Sequence, residues 1–383
     1  MSSPVLEITD LDRVRDRASA RAFVDAHIAL YANDWERDGR IPDDLLDRMG
    51  AAGLWAPFLP TEVGGAGVDM VTLGHIHEEV GRGCSSVRSL LTVHTMASWA
   101  VQRWGSPDQR ERWVPAMCRG ETLGAFCLSE PEAGSDAAGI RTTAQPTGSG
   151  WVLNGVKKWI TGGQRADLYL VFARVGTSIA AFLVPRDTPG VHVRPIPEIL
   201  GTRASMLAEV SLVDVVLDRD ALLGPSGFTA GMVLTGVLDL GRYSVAVGSV
   251  GIIQACLEAC AAYTTRRTVS GSAIRNLQLI QHKMSDMVTD LRAARLLCHE
   301  AGKLKDDGEA STIMATWVAK YFASTAAAKH ASEAVQMHGA SGCGSEYPVA
   351  RFYRDAKVME IIEGSNEVQR ITIAGEAYRE MSS

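Results

Sequence analysis

The spacing of apolar residues divides the chain into three parts. In residues 10 to 120, apolar positions recur every three or four residues, as at Leu73, His77 and Val80. This spacing is typical of amphipathic helices. The stretch Ser106-Pro-Asp-Gln has the form of a capping box with proline at the first helical position. The first part is therefore predicted to be an α-helical domain.

Near Gly124 the helical spacing gives way to alternation, which predicts strands. The predicted strands are residues 151–153, 156–160, 168–175, 178–184, 191–196 and 209–216. Asn154-Gly155 separates the first two strands and predicts a hairpin, because Asn-Gly favours the positive φ of a type I′ turn. The second part is predicted to be a compact β-barrel or β-sandwich domain.

From about residue 228 the pattern is helical again, and its length and regularity predict a four-helix bundle. The predicted helices are residues 232–265, 277–305, 310–338 and 346–380. The first of them is strongly apolar, but Gln254 and Glu258 interrupt it, which favours a buried bundle helix over a membrane span. The predicted domains are an N-terminal α-helical domain at 1–122, a central β-domain at 123–227 and a C-terminal helical bundle at 228–383.

Composition narrows the class of protein. The chain has 383 residues, of which 46% are hydrophobic and 21% charged, as in a soluble protein of more than one domain. A net charge of -6 argues against general nucleic-acid binding, which needs a basic surface. The 7 cysteines form no C-x-x-C pair, so neither a disulfide framework nor a zinc ribbon is indicated. Together with the lack of an apolar segment in residues 1–16, this predicts a cytoplasmic protein without a membrane partner.

Common catalytic motifs are missing from the sequence. There is no dinucleotide-binding G-x-G-x-x-G after a strand, no phosphate-binding P-loop and no G-x-S-x-G serine elbow. His75 and His77 suggest a metal site, but a helix places them about 200° apart. His77 is therefore predicted to be a partly buried structural histidine, and no metal is expected.

Glu363 is the most suggestive single residue. Two isoleucines precede it and Gly364 follows it, so its carboxylate is a candidate for an apolar, poorly hydrated site close to a ligand. Desolvation raises the pKa of a carboxyl group, which suits a general base. The alternative is a solvated glutamate at the start of a helix, where the helix dipole favours it. Because most glutamates are solvated, the residues alone favour the solvated interpretation.

Several separate motifs give the chain a resemblance to the acyl-CoA dehydrogenase family. The stretch Leu128-Ser-Glu-Pro-Glu-Ala-Gly-Ser-Asp resembles the family's flavin loop, and Trp159-Ile-Thr follows it. The resemblance continues through Gln336-Met-His-Gly-Ala, Arg354-Asp-Ala-Lys and Glu363-Gly-Ser-Asn-Glu-Val-Gln-Arg. It covers essentially the whole chain and implies FAD as the cofactor. It also implies the family's order of an N-terminal α-helical domain, a central β-domain with the flavin loop, and a C-terminal bundle with the catalytic base.

The resemblance also implies which residues bind FAD. Those expected to line the flavin ring are Phe126, Leu128, Ser129, Gly134, Ser135, Trp159 and Thr161. Arg267 and Gln336 are expected to hold the pyrophosphate and adenine ends across a subunit boundary, with Ser365 and Glu367 nearby, which requires a homodimer or homotetramer. Ser270 and Ala340 replace a phenylalanine and a glycine of the family pattern, so weaker FAD retention is expected.

For the substrate, Asp239-Leu-Gly-Arg242 resembles the family segment that lies along the acyl thioester, and Ser135 is expected to contact its pantetheine arm. Some family members carry the catalytic base directly before this arginine, but here that residue is Gly241. The resemblance therefore assigns the base to Glu363, with Glu360 as a rival. The implied reaction removes the α-proton to Glu363 while a β-hydride leaves to the flavin.

Within the family, three segments look most like enzymes of polyketide extender-unit pathways, which act on hydroxymalonyl or methoxymalonyl precursors held by an acyl carrier protein. These segments are residues 84–91, 97–105 and 358–364. Coenzyme A remains an alternative carrier, and Arg266, Arg267 and Arg275 are candidates for an acidic carrier's docking site. An electron-transfer flavoprotein is a candidate acceptor. Three alternatives stay open: a short-chain acyl-CoA dehydrogenase of general metabolism, an oxidase, and a flavin-fold binding protein without turnover.

Overall fold

The N-terminal part is helical, as predicted. A computed structural model describes residues 13–224 and 229–382. Its first helices are α1 (Arg17–His27), α2 (Ala32–Asp38), α3 (Asp43–Ala51), α4 (Met70–Gly83), α5 (Ser85–Trp104) and α6 (Pro107–Arg119). The predicted capping box is confirmed, since Ser106 and Gln109 each bond the other's backbone. Such a cap stabilises a helix by about 1 kcal/mol.

The central part forms one mainly antiparallel sheet. Its strands are β1 (Gly124–Cys127), β2 (Thr143–Pro146), β3 (Gly150–Ile160), β4 (Leu168–Val175), β5 (Ser178–Pro185), β6 (Val191–Pro195), β7 (Ala208–Asp218) and β8 (Leu222–Leu223). They are ordered β6-β7-β3-β2-β4-β5-β8, and β1 pairs in parallel with β4. One face of the sheet buries Leu153, Tyr169 and Phe182 in its own core.

The predicted hairpin at Asn154-Gly155 is wrong. Strand β3 runs through both residues, and its register against β7 shifts between Leu153 and Gly155, which marks a bulge. The Asn154 side chain exchanges hydrogen bonds with Asp214 on β7, at 3.0 and 2.8 Å. The chain reverses earlier instead, where the Thr147 N–H donates to the Gly150 carbonyl over 2.8 Å. The conformational freedom of Asn-Gly is used here in a β-bulge, which, like a tight turn, accommodates unusual φ values.

The C-terminal part is a bundle of long helices, as predicted. It contains α7 (Thr229–Arg266), α8 (Gln278–Asp306), α9 (Thr312–His338), α10 (Val349–Met359) and α11 (Asn366–Ser382). A small hairpin of β9 (Thr268–Val269) and β10 (Ser272–Ala273) joins α7 to α8. The prediction of a single helix over 346–380 is wrong, because a non-helical break separates α10 from α11. Glu363 lies in that break.

Helix α7 packs against both the bundle and the N-terminal and central parts of the fold. From Gly231 to Arg266 it is long and apolar enough to cross a membrane, but 67% of its most apolar window is buried inside the protein. Its buried residues belong to the bundle core, while Val233 and Val237 pack with α5 and the sheet. Such burial is what the bundle prediction requires. The predicted domain boundary at 227/228 lies outside the described residues.

Candidate active site

Glu363 lies in the sharp turn between α10 and α11. Its backbone has φ +55°, and that of Gly364 has φ +89°. The turn is closed by the Asn366 N–H, which donates to the Glu360 carbonyl over 2.9 Å. A non-glycine residue in the left-handed region costs about 1–2 kcal/mol, so such a conformation persists only where its surroundings impose it.

Buried side chains from two helices impose this conformation. Lys320 of α9 donates through Nζ to the Gly364 carbonyl over 2.8 Å and to Asn366 Oδ1 over 3.0 Å. Gln369 of α11 donates through Nε2 to the carbonyls of Gly364 and Glu363, at 3.0 and 3.2 Å. Lys320 and Gln369 are fully buried. The turn is therefore anchored by polar contacts that a change of its backbone would break.

The carboxylate of Glu363 lies directly against the backbone of α7. A Cβ atom built on Gly241 would come within 2.4 Å of Glu363 Oε2 and 2.8 Å of Met96 Sδ. Only glycine leaves room there. Although the residue as a whole is half-buried, its Oε2 is inaccessible and has no hydrogen-bond partner among the described residues. An unpaired, desolvated carboxylate oxygen is free to accept a proton from a ligand.

Its surroundings adjust the proton affinity of Glu363. Burial raises its pKa to about 7, although the positive charges of Arg242, Arg88 and Lys320 oppose the shift. A base with a pKa near the working pH combines a useful ionised fraction with a strong proton affinity. The rival Glu360 instead bonds Lys357 over 2.9 Å at the surface. The geometry thus favours Glu363 as the base, as the sequence analysis predicted.

A close antiparallel contact between α5 and α7 forms the floor of this site. Successive side chains of α5 lie over small residues of α7. The pairs are Trp99 with Gly236, Met96 with Gly241, Thr92 with Ser244 and Arg88 with Gly248. Glycines on α7 let the two helices approach closely. The contact is aromatic on one side of Glu363 and polar on the other.

The polar end is a buried hydrogen-bonded chain that the sequence analysis missed. His77 Nδ1 lies 2.6 Å from Ser244 Oγ, which lies 2.6 Å from Thr92 Oγ1, and Arg88 Nη1 donates to Thr92 Oγ1 over 3.0 Å. His77 is fully buried, which is more than the partial burial predicted for it. Arg88 is also buried and forms no ion pair among the described residues, although burial lowers its pKa only to about 10. The available signal was that Arg88 is the single charged residue among residues 84–91.

The predicted substrate segment brings Arg242 close to the base. Arg242 is mostly buried, and a Cβ atom on Gly364 would lie 3.9 Å from its Nε. Asp239, one helical turn earlier, forms an ion pair with Lys305 of α8. The structure therefore brings Arg242 to Glu363, while the charge of Asp239 is balanced by another residue.

The predicted flavin loop is fixed to the sheet by a buried ion pair. Glu130 accepts from Lys157 Nζ over 2.7 Å and from the N–H groups of Arg141 and Thr142. Burial alone would raise the pKa of Glu130, but these donors lower it below its usual value. The Lys158 N–H also donates to the Ser129 carbonyl over 2.9 Å. The loop is thereby held beside the end of β3.

These residues fit a large planar cofactor. Trp159 has φ +64° and leaves 53% of its surface exposed, which is unusual for a tryptophan beside a core. Gly134 and Ser135 are exposed, and a Cβ atom on Gly134 would meet no atom within 4 Å. The other predicted ring contacts are partly or fully buried; they are Phe126, Leu128, Ser129 and Thr161. An exposed aromatic face beside an open loop suits an isoalloxazine ring.

The residues predicted for the other end of FAD lie far from Glu363 in the same chain. Tyr263 of α7 stacks on His338 of α9 at 4.2 Å, so Arg267 and Gln336, both exposed, share one end of the bundle. Arg266 is about 37 Å along α7 from Gly241 at 1.5 Å per residue. The arginine cluster predicted to dock a carrier therefore does not border the Glu363 site of its own chain. Ser365 and Glu367, in contrast, flank Glu363 directly.

Known protein families match all three parts of the chain. Family models match residues 13–121, 125–215 and 227–378; they describe the N-terminal, middle and C-terminal domains of acyl-CoA dehydrogenases. The mitochondrial short-chain specific acyl-CoA dehydrogenase of Rattus norvegicus is 36% identical over 373 residues, covering 96% of this chain and 90% of that protein.

Two solved structures are similar throughout. Butyryl-CoA dehydrogenase from Megasphaera elsdenii has a TM-score of 0.92 and 30% identity, with 97% of this chain and 99% of that chain covered. FkbI, described as an enzyme for biosynthesis of the methoxymalonyl extender unit of the polyketide Fk520, has a TM-score of 0.86 and 36% identity, with 95% and 99% covered. The chain belongs to the acyl-CoA dehydrogenase family, and it is a FAD-dependent oxidoreductase acting on CH–CH bonds.

Proposed function

We propose that this enzyme dehydrogenates a short acyl thioester between its α and β carbons, with Glu363 as the base. The observation that carries the proposal is the unpaired, buried Oε2 of Glu363 against Gly241. Glu363 takes the α-proton, so its carboxylate becomes neutral as the substrate loses a hydrogen nucleus. FAD, when bound, supplies the acceptor for the hydride that leaves the β carbon.

The chain's own residues support this step in three ways. Lys320 and Gln369 hold the turn, so Glu363 needs no rearrangement to meet a ligand. Arg242 and Arg88 favour the ionised form of Glu363, which is the form that accepts a proton. The buried, apolar side chain of Met96, which lies beside the same glycine, limits water around the carboxylate and so preserves its basicity.

Replacing Glu363 by glutamine tests the base. We expect Glu363→Gln to retain FAD, measured from its visible absorbance, and to lose anaerobic bleaching of the flavin by substrate. Glu360→Gln is the matched control, because its carboxylate points to Lys357 instead. Bleaching of the Glu363→Gln enzyme at the wild-type rate would show that another group removes the proton.

We further propose that the acyl group is carried by an acyl carrier protein and is a precursor of a polyketide extender unit. The support is the similarity to FkbI over 95% of the chain at 36% identity. The same identity to a short-chain specific acyl-CoA dehydrogenase supports coenzyme A as the alternative carrier. Both carriers end in the same pantetheine arm, so the inner site does not distinguish them.

Paired substrates distinguish the two carriers. The same short acyl group is attached to coenzyme A and to a carrier protein, and flavin bleaching is followed without oxygen. We expect faster bleaching per unit concentration with the carrier protein, and unacylated carrier protein serves as the control. Bleaching by the coenzyme A thioester alone would reject the carrier assignment.

The remaining partners follow from the same proposal. An electron-transfer flavoprotein would reoxidise the flavin, whereas substrate-dependent hydrogen peroxide in air would identify an oxidase. Binding of the pyrophosphate and adenine ends of FAD by Arg267 and Gln336 of a second subunit would require a homodimer or homotetramer. The proposed location of the enzyme is the cytoplasm.

A further inference from the structure

Helix α9 carries two contacts between an aromatic ring and an arginine. The guanidinium carbon of Arg242 lies 4.1 Å from the ring centre of Trp317, close to Glu363 and mostly buried. The guanidinium carbon of Arg370 lies 5.1 Å from the ring centre of Tyr321, and Arg370 is exposed. The same kind of contact thus occurs once beside the base and once at the surface.

Arg242 depends on Trp317 for its position. No hydrogen bond or ion pair joins its side chain to another residue within 13–224 and 229–382, and its buried Nε has no partner there. Asp239, the nearest carboxylate on its own helix, is paired with Lys305. A buried guanidinium without a carboxylate contact is unusual, because burial of a charge is costly unless it is compensated.

The contact with Trp317 leaves the N–H groups of Arg242 without a hydrogen-bond partner among the described residues. A contact between a cation and an aromatic ring does not use up the capacity of a guanidinium group to donate to an oxygen atom. Those N–H groups remain available for an oxygen atom of a ligand. Trp317 is also one helical turn from Lys320, so a single face of α9 orients both Arg242 and the Glu363 turn.

We propose that Trp317 is a positioning residue of the reaction, holding Arg242 beside Glu363 with its N–H edge open to an oxygen atom of the acyl thioester. This inference rests on the proposed function of Glu363. The sequence offered no signal for Trp317, which is one of several large side chains in a helical stretch. Its contact with Arg242 depends on α7 and α9 packing together.

The test compares variants that keep or remove the ring. Trp317→Leu removes the aromatic face but keeps an apolar side chain, Trp317→Phe keeps a face, and Tyr321→Leu removes the surface contact. We expect Trp317→Leu to lower kcat/KM about thirtyfold, the scale of one such contact when desolvated. The kcat/KM of Trp317→Phe should stay within about threefold of the wild-type value. The kcat/KM of Tyr321→Leu should equal the wild-type value.

The pH profile separates positioning from a general loss of structure. The charges facing Glu363 are Arg242 from α7, Arg88 from α5 and Lys320 from α9. The charges of Asp239 and Lys305 also act on Arg242. The charge of Glu360 acts on Lys320. If Arg242 moves away, ionised Glu363 loses a favourable charge, so the acid limb of kcat/KM should move to higher pH in Trp317→Leu only. An unchanged limb together with kcat/KM equal to that of Tyr321→Leu would overturn the proposal.

A double-mutant cycle shows whether Trp317 acts through Arg242. Arg242→Lys and Trp317→Leu should be clearly non-additive in kcat/KM, whereas additive effects would reject the link. Should Trp317→Leu fail to fold or to bind FAD, Trp317→Met carries the same comparison. Glu363→Gln decides the proposed function separately: if it abolishes bleaching while Trp317→Leu behaves as wild type, only the role of Trp317 is rejected.

Discussion

Gly241 is the residue that gives the Glu363 carboxylate its place. A Cβ atom there would lie 2.4 Å from Oε2 and 2.7 Å from Cδ, well inside contact distance. Because the Glu363 turn is anchored by Lys320 and Gln369, the carboxylate can yield only by leaving its position. The sequence showed only that Gly241 cannot act as a base. The structure adds that it must be small.

We therefore expect Gly241→Ala to lower the rate of flavin bleaching about 100-fold, the effect of misplacing a reacting group by about 1 Å. FAD content should not change, since Gly241 is not among the residues expected to bind the cofactor. Gly231→Ala is the control: it lies on the same helix, and its added Cβ would meet nothing within 4 Å. Stopped-flow bleaching of both variants makes the comparison. Equal rates for both would show that the Glu363 carboxylate is not confined by α7.

Some residues of the site can be identified from the sequence, and others cannot. Glu363 and Arg242 were found because they lie in recognisable motifs. Arg88 and Lys320 were not, since each matters only through a partner more than 40 positions away. Their burial comes from helix packing, which no local pattern encodes. Arg88 at least stood out as the single charge among residues 84–91, whereas Lys320 resembled any surface lysine.

At the scale of elements, the two wrong predictions have different physical causes. Asn154-Gly155 has the local chemistry of a turn, but pairing of β3 with β7 on both sides of it turns the same chemistry into a bulge. Long-range pairing overrode a local preference. The helices and most strands were predicted because their periodicity is long enough to leave little ambiguity.

The break between α10 and α11 was missed for the opposite reason. Residues 346–380 keep a helical pattern throughout, and only Gly364 hinted at an interruption. The break exists because Lys320 and Gln369 bind carbonyl groups that a continuous helix would use internally. An element boundary that carries function was thus determined by side chains from elsewhere in the fold.

At the scale of the whole molecule, the site belongs to no single domain. The floor comes from α5 of the N-terminal part and α7 of the C-terminal part, the base from the α10–α11 turn, and the flavin loop from the sheet. Asp355 of α10 joins the C-terminal part to the central part, because it accepts from the Thr202 N–H over 2.6 Å. Folding of the three parts together is therefore what desolvates Glu363.

That desolvation should be measurable as a pH-dependent cost in stability. The pKa of Glu363 rises from 4.5 to about 7 on folding, so the folded state binds this proton more tightly than the unfolded state. The stabilising contribution is complete below pH 4.5 and is lost as pH rises through about 7. It amounts to at most about 3 kcal/mol, at 1.36 kcal/mol per pKa unit.

Glu363→Gln removes this titration and leaves in place that of Asp355, whose pKa burial raises to about 6. We therefore expect Glu363→Gln to unfold at a higher temperature than the wild type at pH 8, and the gap to shrink steadily towards pH 5. Burial lowers the pKa values of His77 and His94 to about 3 and about 4, but these histidines titrate alike in both proteins and so cancel in the gap. Calorimetric scans of both FAD-loaded proteins across this range give the gap. A gap that is independent of pH would mean that Glu363 is hydrated in the folded enzyme and does not carry the raised pKa of a buried base.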